Sequence, residues 1–192
     1  MTDFQDPGWI SADAWWVFVP YLGLWFAHRR GSKQPALIDV RWVFEAWLVT
    51  LTFTMVEAFT MTLKGTDEPS AAVVVAGLSA ICLAGIAHYR GRPLSLRESS
   101  PAALAGSFRT VFYVSLGLAT APLLYGVCGV FVAASRVPLS VGMVFTIAAA
   151  TLTAPTAASI RRQQSKLSEG GSTLSLGRAI TAPSPSPDKG TR

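Results

Sequence analysis

Histidine and cysteine each occur only twice in the 192 residues, and neither pair is placed for chemistry. His28 and His88 stand at the ends of apolar runs, so no Ser–His or Cys–His couple and no histidine metal set can be assembled from them. Cys82 and Cys128 fall midway through separate apolar runs, where a thiol behaves as a small apolar side chain; disulfide and zinc spacings are missing. Charge is scarce as well, at 14% of residues against about 25% in soluble domains. No glycine loop shaped for phosphate and no pair of intramembrane carboxylates is present. These absences predict a protein that is not an enzyme and that carries no cofactor or metal. No lysine or arginine precedes Arg29 and no small-residue cleavage site follows the first apolar run, which reads as the lack of a cleaved signal peptide.

What the chain has in abundance is apolar sequence, 51% of it, gathered into long uncharged runs. That pattern predicts an all-α, polytopic transmembrane helix bundle. Five spans are expected, over about 14–28, 42–63, 70–88, 111–133 and 137–160. The first is short and contains Pro20, so the alternative is four spans plus one interfacial helix. Fourteen of the sixteen basic residues fall in the loop after the first run, the loop before the fourth and the tail. The positive-inside rule then puts those regions and the C-terminus in the cytoplasm, and residues 1–13 outside. The pI near 9.6 is read as topology signal and attraction to anionic lipid at the basic loops, not as nucleic-acid binding, because the basic residues form no single patch. A bacterial plasma membrane is the expected location.

Two hairpins are related by an offset of 68, which pairs Arg41 with Arg109, Val43 with Val111, Phe44 with Phe112, Leu48 with Leu116 and Thr52 with Thr120. Small residues recur at helix-packing spacing: Ala76, Ala80 and Ala84; Gly117 and Ala121; Ala150, Ala154 and Ala158. Such residues let helix backbones approach where lipid supplies no hydrophobic drive, and they mark faces for a homo-oligomer or a membrane-protein partner. Pro122 and Pro155 should kink their helices, with Thr151 re-satisfying a carbonyl near the second. Residues 161–192 read as a basic cytoplasmic tail, disordered after about residue 170, whose "RRQQSK" start anchors on anionic lipid.

Glu57 is the one acid well inside an apolar run. On a helical wheel Thr50, Thr54, Glu57, Met61 and Lys64 lie within about 40° of one line. One reading makes this stripe a proton site facing the bundle, with the carboxyl pKa raised by desolvation. The other makes Glu57 a buried polar anchor, hydrogen-bonded or paired with Lys64. Glu45, four residues after Arg41, is placed to pair with it, and His88 is expected at the interface.

The stretch "LGLATAPLLYGVCGVF", residues 116 to 131, resembles the carboxylate helix of the proteolipid c subunit of rotary ATP synthases, and 109–166 is loosely similar to hairpins of uncharacterised bacterial multi-pass membrane proteins. Ala121, Pro122, Tyr125 and Gly126 carry the likeness, but Thr120 stands where that family has its acid. The resemblance therefore implies a hairpin architecture, and ion binding is not carried over. The expected function is an accessory or scaffold protein assembling through small-residue faces; the alternative is a proton-coupled channel or small transporter using Glu57.

Overall fold

A computed structural model of the chain describes residues 35–60, 69–92 and 100–182. Regular structure among them is entirely helical: α1 Ala36–Thr60, α2 Pro69–Gly91, α3 Pro101–Ala133, α4 Val137–Thr153, α5 Ala157–Glu169 and α6 Leu176–Thr181. Ser70–Gly91 of α2 and all of α3 are long and apolar enough to cross a membrane, and the bent pair α4 and α5 is a third candidate if read as one broken span. The expected span over 14–28, the segment 1–13 and residues 183–192 lie outside the described residues. The chain divides into two compact units. The first takes Met1–Thr50, Pro93–Thr110 and Pro155–Arg192; the second takes Leu51–Arg92 and Val111–Ala154.

Absent side chains set the core of the second unit. A Cβ at Gly129 would stand 2.6 Å from Pro138 Cβ and 3.2 Å from Val75, and one at Gly126 would stand 3.0 Å from the Pro138 carbonyl oxygen. One at Gly142 would overlap the Pro122 carbonyl oxygen. Lower on α3, Leu118 meets Gly85 of α2. Moving from 129 to 118 along α3, the contacts climb from 75 to 85 on α2 and from 138 to 142 on α4. So α3 runs antiparallel to both, and α2 and α4 pack on each other. Among the glycines the close approach falls at Gly126, Gly129 and Gly142, and nothing lies within 4 Å of a Cβ built at Gly117. Several hydroxyls in this unit turn back on their own helices: Ser115 donates to the Val111 carbonyl at 2.7 Å, Thr120 to Leu116 at 2.9 Å and Thr146 to Gly142 at 2.8 Å. This satisfies the polar side chain within its own turn and leaves packing to hold the helices together. Between α3 and α4, Ala134 adopts φ 49°, a left-handed turn that costs an L-residue about 1 kcal/mol.

Three elements depart from the expected boundaries, each for a local reason. α1 begins at Ala36, ahead of residue 42, because Leu37, Val40, Arg41 and Phe44 repeat at helical spacing on a buried face. α3 begins at Pro101, ten residues ahead of 111: Ser100 caps it, its hydroxyl accepting from Ala103 N–H at 3.2 Å, and Leu104 and Phe108 are buried one turn apart. The run expected over 137–160 ends at Thr153, and Thr156 caps a new helix, its hydroxyl accepting from Ser159 N–H. Pro155 supplies the break, since it has no N–H to continue α4.

Beyond it the chain remains ordered through Ala182, where the sequence reads as disordered from about 170. Ile160, Gln163 and Leu167 are buried on α5, and Leu176, Ala179 and Ile180 on α6. The turn between them is a Schellman stop: Gly171 takes φ +81°, Ser172 N–H donates to the Leu167 carbonyl at 3.1 Å, and Gly171 N–H donates to Ser168 at 3.0 Å.

Candidate functional site

The threonine–glutamate stripe is built on α1, and the structure places its members separately. Thr50 donates its hydroxyl to the Ala46 carbonyl at 2.9 Å, Thr54 is half-buried and Glu57 is exposed. The Glu57 main-chain carbonyl accepts from the Thr60 hydroxyl at 2.7 Å. Lys64 lies outside the described residues. The carboxylate therefore has an outward placement on its helix, not a place in a packed interior.

The small-residue positions divide in the same way. Ala80, Ala84, Gly117 and Ala158 are exposed; Ala76, Ala121, Ala150 and Ala154 are half-buried. Nothing comes within 4 Å of a Cβ built at Gly117, nor of one at Gly77. On α2 the exposed positions Gly77, Ala80 and Ala84 are flanked by Val73, Val74, Leu78 and Ile81, also exposed. A side of this kind is smooth, apolar and open.

A buried polar arrangement lies in the first unit, and sequence spacing did not reveal it. Arg41 is 0% exposed, and its Nε donates to the Pro155 carbonyl at 3.4 Å, reaching across 114 residues of chain. Asp39, also buried, holds Arg109 at 3.4 Å between Oδ2 and Nε. A guanidinium fully withdrawn from water is tolerated only where carbonyls or carboxylates replace its hydration. The Pro155 carbonyl, at the break after α4, is one such acceptor. Gln163 is buried, and its Oε1 meets no hydrogen bond.

Gln164, next to it, acts as a buckle. Its Oε1 accepts from Leu176 N–H at 2.6 Å and its Nε2 donates to the Leu174 carbonyl at 3.3 Å, tying α5 to the start of α6. Ser175 adds the cap, accepting from Arg178 N–H. The signal for this buckle was the Gly170–Gly171 pair followed by a serine-rich turn, which marks a helix stop and restart.

Of the cysteines, Cys82 is buried and Cys128 exposed. Among the described residues no three His, Cys, Asp or Glu side chains converge as metal ligands would. No family model matches the chain, and no curated protein and no solved structure matches it.

Proposed function

We propose that the chain is a five-span integral protein of a bacterial plasma membrane, with its arginine-rich connections and C-terminal segment in the cytoplasm. In this reading it works without catalysis, as an accessory or scaffold protein that joins a second copy or another membrane protein through small-residue helix faces. The observation that carries the reading is the outward placement of Gly77, Ala80, Ala84 and Gly117. Helices in lipid associate where small residues let backbones approach. The internal contacts use other glycines, so these faces are left for a neighbouring helix. Two further facts support the topology. The first unit holds twelve of the sixteen basic residues, the asymmetry that orients membrane chains. And α2 and α4 begin at Pro69 and Val137, 68 residues apart, which is the offset that pairs Arg41 with Arg109 and so supports two repeated hairpins.

The test is energy transfer between donor- and acceptor-labelled copies in proteoliposomes, with and without a co-purified partner. Ala80→Leu and Gly117→Leu should each lower transfer or partner retention several-fold. Both positions are open in the isolated chain, so the thermal unfolding midpoint should hardly move. Variants that assemble like the wild type would remove the small-residue faces from the function.

A further inference from the structure

We propose that the exposed side of the α5–α6 hairpin is an electrostatic grip for anionic phospholipid headgroups, one that holds the bilayer surface without inserting into it. The proposal rests on the reading of the chain as membrane-embedded. On α5, Ile160, Gln163 and Leu167 are buried, and Ala158, Arg161, Arg162, Ser165 and Ser168 are exposed on the other side. Arg178, exposed on α6, is fixed to the same hairpin by the Gln164 buckle. Among the described residues no carboxylate pairs with Arg161, Arg162 or Arg178. Residues 157–182 contain four basic side chains and a single acid, Glu169. Uncompensated guanidiniums match phosphate oxygens in charge and in bidentate geometry.

Two facts choose the bilayer as the source of that phosphate. α5 starts four residues after the apolar α4 ends. At helical and extended rises, Arg161 is then within about 20 Å of the end of α4, so a bilayer around α4 brings its headgroups to this helix. The second fact sets the mode of binding. A helix that lies in the interface buries its apolar stripe among acyl chains, but the apolar stripe of α5 is already buried in its own unit. What remains to meet a membrane is charge, and charge is screened by salt.

The experiment uses the full chain reconstituted in phosphatidylcholine bilayers and reads its selectivity for spin-labelled phosphatidylglycerol over spin-labelled phosphatidylcholine. Juxtamembrane basic residues each contribute appreciably to attraction for anionic lipid, so selectivity should fall at least about threefold when Arg161, Arg162 and Arg178 are all changed to Gln. It should fall similarly in Ala158→Glu with Ser168→Glu, which removes no arginine and keeps the fold independently testable by circular dichroism. The triple change to Lys should retain most of it. About 1 M salt, where the screening length is about 3 Å, should abolish the hairpin's share. Selectivity unmoved by both variants would overturn the proposal and leave the face to an acidic protein. Selectivity lost in the variants but resistant to salt would overturn the non-inserting mode. Failure of the underlying reading looks different: the chain would then be released from membranes by alkaline carbonate.

Discussion

Arg41 fills its place in the first unit with a whole guanidinium side chain, while Gly142 in the second fills its place with nothing at all. In the first unit the contacts are directional: a carbonyl acceptor for Arg41 at Pro155, the Asp39–Arg109 pair, the Gln164 buckle and the caps at Thr156 and Ser175. Around Gly142 they are steric, and the nearby hydroxyl of Thr146 donates to that glycine's own carbonyl. One unit depends on which atoms meet, so it should be sensitive to lost partners. The other depends on how near backbones come, so it should be sensitive to added volume and indifferent to a conservative change of polarity.

Removing the buried guanidinium should have the largest effect. Arg41→Ala leaves a cavity and a carbonyl without its donor, and a loss of about 3–5 kcal/mol is expected in reversible unfolding in detergent. A loss under about 1 kcal/mol would mean that the first unit does not depend on its partners. Next comes volume in the second unit. Gly142→Ala forces the Pro122 carbonyl away and should cost about 1–3 kcal/mol. Gly117→Ala, with open space around it, should gain up to about 1 kcal/mol from helix propensity. Equal effects at the two glycines would erase the steric half of the contrast. The most local effect is at the hairpin: Gln164→Ala should raise amide hydrogen exchange over residues 174–182, corresponding to about 1–2 kcal/mol of lost protection, and leave α2 and α4 unchanged.

Much of the helical architecture was legible because apolar run length and proline chemistry act locally. The runs over 70–88 and 111–133 lie inside α2 and α3, and Pro155 ends α4 for the reason its ring dictates. Helix rotation was not legible. The spacing of Ala80, Ala84 and Gly117 shows that a face exists but not whether it points inward, and the same limit applied to Glu57. The shared contact of Gly126, Gly129 and Gly142 was not legible because it is assembled from two helices, with no period on either one. The Arg41 acceptor was invisible for a related reason, since its partner lies 114 residues away. α6 was hidden by brevity: six residues with three apolar positions beside a Ser/Pro-rich stretch show no period.

The first unit gathers its buried side chains from stretches near 36–50, 104–108 and 160–180, which has a consequence for how a cell makes this chain. Synthesis delivers Arg41 early and the Pro155 carbonyl late, with every apolar helix of the second unit produced between them. A chain interrupted before Leu176 would carry all its described membrane-candidate helices yet lack Leu176, Ala179 and Ile180 from the buried set of the first unit. Closure of the first unit thus reports that translation has run past α6.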